Sequence, residues 1–543
     1  IGFIARATLS SGVMSSQTLS TATQGRRVAR AATIVMAAFV ASRVLGLARE
    51  SVIGARFATV ETYGAYLAAF RIPDLIFNII AGGALASAFI PTFTVFLTRD
   101  EREIGWRMAS AVANWMMLVL GVIAALAAIF APWLARLIAP GFDPELVQLT
   151  ANLMRFMLIS TVIFSLSGLI MSILNAFEHF LTPAIAPVMY NLGILFGALF
   201  LAPTMGVYGL AWGVVLGAVA HAAIQLPALR HFGIRYVPVL GLRDMQIRDA
   251  VRRVGRLMLP RIAGAGLVQF MFLANTIIAS FYSASVLPAL NYAWIVMLLP
   301  HGVFASSVAT AVFPTFSRMA AKGDQAGMRA GLAQTLRAVL FVSLPSAVGL
   351  VILREPIVRL LFERGQFTHT DTLAVAWALG FYGLGLVAHS FIEIINRAYF
   401  AVQDTITPVV VGGLAMVANI ALSLILVNVI GDPTTLERGP QGGLALANVL
   451  ASSAEVPILL WLMRRRMGGI EGTALLASAG RLTLAAGAMG LVLWGLLHWD
   501  ALAALPVLLF VPLAVAIGAA VYAAIAWLLG VEETKLARRL LRP

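Results

Sequence analysis

The sequence contains no cysteine and few charged residues. Charged residues make up 11% of the 543 positions, against about 25% in an ordinary soluble domain, whereas apolar residues make up 60%. Without cysteine the chain can form neither disulfide bonds nor thiolate metal sites, and it has no cysteine nucleophile. The low charge and high apolar content exclude a soluble enzyme, a disordered scaffold and a fibre.

Lysine is scarce as well. Lys322 and Lys535 are the only lysines among the 38 basic residues, and the rest are arginines. Against 24 acidic residues they give a formal net charge of +14. A basic balance often indicates a nucleic-acid partner, but the apolar content points to a lipid bilayer, in which basic residues set the orientation of the chain. We therefore expect membrane lipids, and no nucleic acid, among the partners.

Residues 1–30 lack the apolar core of roughly 7–15 residues that defines a signal peptide. They are rich in serine and threonine and carry four arginines. We expect them to form a cytoplasmic N-terminal leader, and residues 531–543 to form a cytoplasmic C-terminal tail.

Long apolar segments dominate the rest of the chain. A membrane-spanning helix needs roughly 20 mostly apolar residues. The sequence predicts fourteen such spans, and internal residues such as Gly46, Pro73 and Pro91 predict that some are kinked or broken beside a cavity. The predicted spans are residues 31–57, 63–97, 106–138, 146–176, 183–202, 207–229, 254–282, 287–317, 328–362, 372–400, 407–430, 442–463, 473–498 and 501–530.

The basic residues between the spans alternate from one side to the other. If the N-terminus is cytoplasmic, the inside segments hold most of the arginines, with a dense run in residues 230–256 and another at 464–466. The outside loops hold little more than Arg364 and Arg438. By the positive-inside rule this alternation predicts an even number of spans and two cytoplasmic termini.

Two short stretches recur along the chain. Residues 84–93 (ALASAFIPTF) resemble residues 307–316 (SVATAVFPTF), and residues 181–183 resemble residues 406–408. The nearly equal offsets indicate a duplication of six spans, an even number that keeps both copies in the same orientation. The predicted domains are an N-lobe (31–229), a basic cytoplasmic linker (230–253), a C-lobe (254–465) and two further spans (466–530). Paired six-helix lobes are typical of alternating-access transporters with a site between the lobes.

The first predicted span carries charge where charge is costly. It contains Ser42, Arg43, Arg49 and Glu50. On an unbroken helix Arg43 and Arg49 lie about 240° apart, so they can share one cavity only if the helix bends, as Gly46 would allow. The planar fork of arginine fits phosphate oxygens in a bidentate way, which favours an anionic substrate.

The second predicted span adds Arg71 and Asp74, which are i,i+3 neighbours. Two interpretations of the charges in the first lobe are open. In the first, the charged side chains form internal ion pairs, Arg71 with Asp74 and Arg49 with Glu50. In the second, which we favour, the excess of positive charge faces an anionic substrate.

The second lobe has fewer charges but several polar side chains within its spans. His389, Glu393 and Arg397 form an i,i+4 stripe that is either a self-satisfied ladder or part of an ion path. The two GxxxG pairs in the first lobe, Gly193/Gly197 and Gly213/Gly217, predict close helix packing. The seven scattered histidines have no metal-ligand spacing, so we expect no metal site of that kind.

Five motifs, taken in order, resemble the MurJ/MviN lipid II flippases of the multidrug/oligosaccharidyl-lipid/polysaccharide exporter superfamily. They are SRVLGLARE (42–50), FRIPDLI (70–76), APGF (139–142), LFERGQFT (361–368) and FAVQDTITP (400–408). The resemblance implies an all-α polytopic membrane protein of fourteen helices in two six-helix lobes plus two. It further implies an alternating-access flippase, not an enzyme, in the bacterial cytoplasmic (inner) membrane, which moves undecaprenyl-diphosphate-linked lipid II to the outer leaflet for peptidoglycan synthesis.

The resemblance also implies site residues. The substrate headgroup would be bound by first-lobe residues, and the last two helices would form a groove for the lipid tail. The substrate-binding set is Ser42, Arg43, Arg49, Glu50, Arg71 and Asp74. Two further positions that are basic in the family are occupied here by Phe77 and Ile295. The acidic residue that the family has near the position of Gly64 is absent.

A sodium site of the family maps onto five positions in the second lobe, where both carboxylates of the family are missing. These positions are Asn275, Asn419, Ser423, the Leu444 carbonyl and Asn448. Neutral oxygens of this kind would hold a monovalent cation only weakly, so we expect no resident cofactor and doubt sodium coupling. We expect a monomer.

Other functions are open at this point. The chain could export another polyprenyl-linked oligosaccharide or a small molecule of the same superfamily. A membrane glycosyltransferase would need clustered catalytic carboxylates near a leaflet surface, and the sequence shows no such cluster. A scaffold in which the arginines only form ion pairs is a further alternative.

Overall fold

The computed structural model of the chain describes residues 38, 40–80, 84–432 and 434–534. The predicted leader and residues 535–543 of the predicted tail lie outside these ranges. All regular structure in the described ranges is helical, without a β-strand.

The helices are numbered here in chain order. They are α1 (40–57), α2 (Glu61–Ile80), α3 (Ala84–Thr98), α4 (Arg102–Ile129), α5 (Ala131–Ile138), α6 (Pro144–Ala176), α7 (Leu181–Phe196), α8 (Ala202–Met205), α9 (Val207–Ala223), α10 (Leu226–His231), α11 (Met245–Ser280), α12 (Val286–Pro300), α13 (Ser307–Ala321), α14 (Gln325–Ile352), α15 (Arg354–Phe362), α16 (His369–Ala401), α17 (Ile406–Leu426), α18 (Gln441–Met467), α19 (Gly472–Leu497), α20 (Asp500–Ala503) and α21 (Val507–Leu528).

Each of the fourteen predicted spans contains helix. Eleven helical segments of the described chain are long and apolar enough to cross a membrane. The other three predicted spans correspond to α1, to α2 with α3, and to α11, whose first half carries the arginines of the basic run. The architecture is therefore that of an all-helical, multi-pass membrane protein, as the sequence predicts.

The helices are interrupted at other places than the sequence predicts. The helical structure continues through Gly46, Pro73 and Pro91, because a proline inside a helix removes one hydrogen bond without ending the helix. Wider π-type turns instead follow α7 at Gly197–Leu201 and α12 at His301–Ser306. The helices are therefore not broken at these three residues, and the alternative prediction, a kink at each of them, stays a prediction.

The chain forms two compact units. Unit 1 contains the described residues up to Arg49 together with Ile76–Ala128 and Arg155–Ile262. Unit 2 contains Glu50–Leu75, Ile129–Met154 and the described residues from Ala263 onward. The boundary near residue 262 is close to the predicted end of the linker, but two segments of the predicted N-lobe belong to unit 2. The division into two six-helix lobes stays a prediction.

Glycine pairs join α7 and α9 within unit 1. A Cβ atom on Gly193 would lie 2.2 Å from the Cα atom of Gly217, and one on Gly197 would lie 2.7 Å from the Cα atom of Gly213. Such distances leave no room for any side chain, so the two backbones are in direct contact. The packing predicted from the two GxxxG pairs is confirmed.

The predicted linker of unit 1 is structured. Residues 232–244 contain no helix, and their backbone is held by α4: the Asn114 side-chain amide donates to the Val239 carbonyl (2.8 Å) and the Trp115 indole to the Leu240 carbonyl (3.0 Å). Asp244 forms an ion pair with Arg107 at 3.3 Å. Helix α11 then begins at Met245, nine residues before the predicted span.

Short contacts within unit 2 explain why two early segments belong to it. Ser51 donates to the Leu361 carbonyl (2.6 Å), and the Thr59 hydroxyl and backbone N–H both donate to Asp371. The Gly141 N–H donates to Ser280 (3.2 Å). These bonds attach residues 50–75 and 129–154 to α11, α15 and α16.

The last two long helices share the main core of unit 2. Side chains of α19 and α21 pack in one buried cluster with α14, α16 and α18. The Tyr522 hydroxyl of α21 donates to the Phe341 carbonyl of α14 (2.8 Å), and Arg337 of α14 forms ion pairs with Glu532 and Glu533, both at 3.2 Å. Helices α19 and α21 are thus integral to this unit.

The two sequence repeats lie at matching places in the structure. The first copy of the longer repeat begins α3 and the second begins α13, and each of these helices has 15 residues with proline at its eighth position. The shorter repeat begins α7 in one case and α17 in the other. This agreement supports a duplication.

We expect Gly193→Ala to lower the free energy of unfolding by about 1–3 kcal/mol, because the added methyl group would force α7 away from α9. Thermal unfolding of the purified protein in detergent measures the effect. Gly121→Ala is the matched control, since a Cβ atom on that helical glycine meets no atom within 4 Å. Equal stability of the two variants would contradict the close contact.

Candidate functional site

A polar contact joins α1 to α7 inside unit 1. Ser42, Gly46 and Arg49 follow one another at spacings of four and three residues, so they lie on one face of α1. The Arg49 guanidinium donates from Nη1 to the side-chain oxygen of Asn191 at 2.9 Å. The Asn191 nitrogen approaches the Ser42 carbonyl and hydroxyl oxygens at 3.4 Å and donates to the Pro187 carbonyl at 3.1 Å. Asn191 therefore links the predicted residues Ser42 and Arg49.

The other two predicted residues of α1 lie elsewhere. Because the helical structure is uninterrupted at Gly46, Arg43 and Arg49 lie on different faces, and Arg43 is exposed while Arg49 is half-buried. Glu50 belongs to unit 2, where it is 5% exposed. The arrangement fixes Arg49 and leaves Arg43 at the surface.

The charges of α2 are held by α11 inside unit 2. The Nε atom of Arg71 donates to the Thr276 hydroxyl at 2.9 Å, and its guanidinium carbon lies 5.4 Å from the centre of the Phe272 ring. Asp74 accepts a hydrogen bond from Gln269 at 3.0 Å. Arg71 and Asp74 are thus fixed by neutral side chains of a neighbouring helix. The two terminal nitrogens of Arg71 form no hydrogen bond to any other described residue and keep their N–H donors.

Arg71 also lines a small cavity of about 50 Å³ in unit 2, next to two of the positions predicted for a cation. Asn275 and Asn448 line the same cavity, with Trp294 and Tyr382 on its apolar side. Arginine is always charged in proteins, so this cavity already contains a positive group.

The predicted cation set is buried and neutral. The Asn275 oxygen, both amide atoms of Asn419 and the Ser423 hydroxyl are buried without a hydrogen-bond partner in the described part of the chain. Leu444 is buried as well, and the Asn448 oxygen lies 3.1 Å from His389 Nε2. The atoms are oxygens of the right kind, but no carboxylate balances a sodium ion, and Arg71 would repel it. The set does not fit a firmly held sodium ion.

A second cavity of about 460 Å³, larger than the one beside Arg71, lies in unit 2 between α11, α12, α16, α17 and α18. Its polar lining groups are His389, Asn396, Asn419, Asn448, Ser452 and Glu455. Glu455 was not singled out from the sequence, although a lone carboxylate in an apolar span is a usable signal.

The polar stripe on α16 resolves into two parts. Arg397 donates to Glu393 at 2.7 Å, which makes the ion pair of a self-satisfied ladder. His389 instead contacts Asn448 of α18 and lines the larger cavity. The ladder interpretation therefore holds for Glu393 and Arg397 and not for His389.

The motifs near the helix ends have structural roles. Gly365 adopts φ +62° and passes so close to Ala55 that a Cβ atom would lie 2.3 Å from the Ala55 carbonyl oxygen. Asp404 caps α17 by accepting from the Thr407 N–H at 3.0 Å, and it pairs with Arg466. Partial burial alone would raise the pKa of Asp404. The hydrogen bonds from Thr407 and the charge of Arg466 outweigh this effect and hold that pKa below its usual value.

Phe77 and Ile295 occupy the two positions at which the family has basic residues, and both have apolar surroundings or lie within an apolar helix. The Phe77 ring packs edge-on against Phe164, with ring centres 5.4 Å apart. Ile295 lies within α12. Asn191, Gln269 and Thr276, which hold the charges that are present, could be noticed in the sequence only as polar residues in apolar spans.

Comparison with known proteins places the chain. A family model described as lipid II flippase MurJ matches residues 53–514. The lipid II flippase MurJ of Burkholderia cenocepacia is 31% identical over 470 residues, which cover 85% of this chain and 88% of that protein. The probable lipid II flippase MurJ of Rhizobium meliloti is 31% identical over 517 residues, or 92% and 93% of the two chains.

Solved structures agree. A structure of lipid II flippase MurJ in an inward closed conformation superposes with a TM-score of 0.75 at 25% identity, covering 94% of this chain and all of that one. An inward-facing multidrug resistance transporter of the MATE family superposes with a TM-score of 0.65 at 15% identity over 79% of this chain, a likeness of fold alone. The helical architecture, the arginines within it and the match along most of its length show that this chain belongs to the MurJ family of lipid II flippases.

Proposed function

We propose that this protein moves lipid II, the undecaprenyl-diphosphate-linked peptidoglycan precursor, from the inner to the outer leaflet. MurJ proteins are transporters, and this chain is accordingly a transporter rather than an enzyme. The observation that carries the proposal is the fixing of Arg49 and Arg71 within membrane spans by Asn191 and Thr276. Charge in a span is costly, so it is kept where it has a partner or a ligand.

The chemistry of these arginines suits a diphosphate. The Arg71 Nε atom is used by Thr276, whereas the terminal nitrogens form the fork that recognises phosphate oxygens in a bidentate way. In the proposal, Ser42, Arg43, Arg49 and Arg71 bind the headgroup, with Glu50 and Asp74 balancing part of the charge.

The proposed mechanism is alternating access. The lobes of residues 31–229 and 254–465 would expose the headgroup site first to the cytoplasm and then to the outside. A ligand drives such a change only by binding the two states differently. The membrane potential would act on the arginines that move, at about 2.3 kcal/mol per charge per 100 mV.

The last two long helices offer a surface for the lipid tail. On the side away from their core, Leu484, Leu491 and Leu508 are 66%, 74% and 70% exposed, as is usual for side chains that face lipid. We propose that residues 466–530 accommodate the polyprenyl chain. We also propose an inner-membrane protein that acts as a monomer with both termini in the cytoplasm, because the basic segments alternate in that sense.

A second candidate is the export of another polyprenyl-linked oligosaccharide, or of a small molecule, by the same mechanism. The apolar residues Phe77 and Ile295 favour it, since they remove two cations from the proposed headgroup site. Translocation assays in liposomes, with lipid II against other polyprenyl-diphosphate glycans, decide between the candidates. Preference for another glycan would overturn lipid II as the substrate.

We expect Arg71→Ala to lower the rate of headgroup translocation in liposomes by roughly tenfold or more, because a hydrogen bond to a charged group contributes about 1.5–3 kcal/mol. Arg71→Lys should recover only part of the rate, since lysine keeps the charge and loses the fork. Arg49→Ala should behave like Arg71→Ala. Arg243→Ala, at an exposed position in the linker, is the control. Full rates in both alanine variants would refute the proposed headgroup site.

We expect translocation to proceed at the same rate, within about twofold, when sodium is replaced by potassium on both sides of the liposome. The reason is that the five mapped positions supply no carboxylate, and two of them, Asn275 and Asn448, share a cavity with Arg71. The same preparation without any pH gradient serves as the reference. A loss of most of the rate in potassium would show that a sodium ion binds despite the neutral set.

A further inference from the structure

We propose that Glu455 is a proton-binding site through which this transporter is driven by a proton gradient. The inference rests on the proposed transport function and adds the identity of the coupling ion to it. It starts from the cavity of about 460 Å³ in unit 2, which holds Asn419 and Asn448 of the predicted cation set and, in addition, the carboxylate of Glu455.

Among the described residues that line this cavity, Glu455 is the only carboxylate. It lies on α18, which is one of the helices long and apolar enough to span the membrane, and it is half-buried. It has no ion pair or hydrogen bond with any described residue, and a Cβ atom placed on Gly412 of α17 would lie 3.7 Å from its oxygen Oε1. A carboxylate in such a place needs a proton or a cation to balance it.

Among the described residues, no fixed positive charge lines the cavity to do this. Helix α16 contributes His389 and Asn396, α17 contributes Asn419, and α18 contributes Asn448 and Ser452. The lining residues of α11 and α12 are Met271, Phe272 and Trp294, which carry no charge. Two arginines on these helices, Arg397 and Arg466, already form ion pairs with Glu393 and Asp404, respectively.

The ligands around Glu455 favour a proton over a metal ion. Glu455 and Asn448 are seven residues apart on α18, which corresponds to about 10.5 Å along the helix axis, so they are not adjacent ligands. A hard cation such as calcium takes six or more oxygens at roughly 2.3–2.6 Å, and among the described lining residues Glu455 alone supplies a carboxylate. A proton needs only one carboxylate oxygen. Glu455 can therefore bind a proton with its own atoms, forming a neutral carboxylic acid.

The remaining polar groups provide a path for the proton. Asn419 is 1% exposed, and neither of its amide atoms has a hydrogen-bond partner among the described residues. The Asn396 oxygen is also buried without such a partner. A cavity of about 460 Å³ has room for on the order of ten waters. Water bonded to these amides would connect Glu455 to His389, which contacts Asn448 two turns before Glu455 on α18.

The proton site can be tested by binding, without any transport. Infrared difference spectra of the purified full-length protein between neutral and acidic pH should show a carboxylic-acid band that is absent in Glu455→Gln and present in Glu455→Asp. Glu103→Gln, an exposed carboxylate at the start of α4, is the matched control and should leave that band unchanged. A spectrum identical in wild type and Glu455→Gln, or a band that responds to sodium and not to pH, would overturn the proposal.

The coupling is tested by transport. In liposomes with lipid II, a pH gradient should change the wild-type rate by up to about tenfold per pH unit, because one unit of gradient is a factor of ten in proton activity. Glu455→Gln should keep a basal rate that no longer responds to the gradient, and Glu455→Asp should respond. A wild-type rate that ignores the gradient would overturn the coupling. If the infrared band behaves as expected but no lipid II is moved, the proposed function fails and the proton site stands.

Discussion

The structure depends on one constraint: inside a bilayer, every polar group must find its partner within the protein. The backbone meets this requirement by forming helices, which is why all regular structure in the described ranges is helical. Charged side chains in the spans meet it through other helices, as Arg49 does with Asn191 and Arg71 with Thr276. Where the requirement is left unmet, as at Asn419 and Glu455, a ligand is to be looked for.

The sequence was sufficient for the architecture because length and apolar content decide it. All fourteen predicted spans contain helix, and the GxxxG pairs correctly marked the contact between Gly193 and Gly217. The π-type turns after α7 and α12 could not be foreseen, since nothing in local composition separates one extra residue per turn from an ordinary helix. The start of α11 at Met245 could not be predicted either, because its first residues belong to the basic run and lack the apolar character by which a span is recognised.

The candidate site was predictable only as a set of charges. The sequence identifies arginines in apolar spans, but their partners lie far along the chain, 142 residues away for Arg49 and 205 for Arg71. Such pairings depend on tertiary packing, which cannot be deduced from the spacing of residues along the sequence. The same limit applies to Arg43 and Arg49: the helix continues through Gly46, with Arg43 exposed and Arg49 half-buried. The cation positions were named from resemblance, and their unsatisfied oxygens became visible only in three dimensions.

The position of Arg71 beside Asn275 and Asn448 has a consequence for how a transporter of this kind depends on its surroundings. A dissociable ion occupies its site only when its concentration exceeds its dissociation constant. A guanidinium attached to the backbone has no dissociation constant, and its occupancy is complete in any medium. A chain with such a tethered charge keeps it in place whether the surroundings are dilute or rich in salt, so the presence of a cation in this cavity does not depend on supply from the medium.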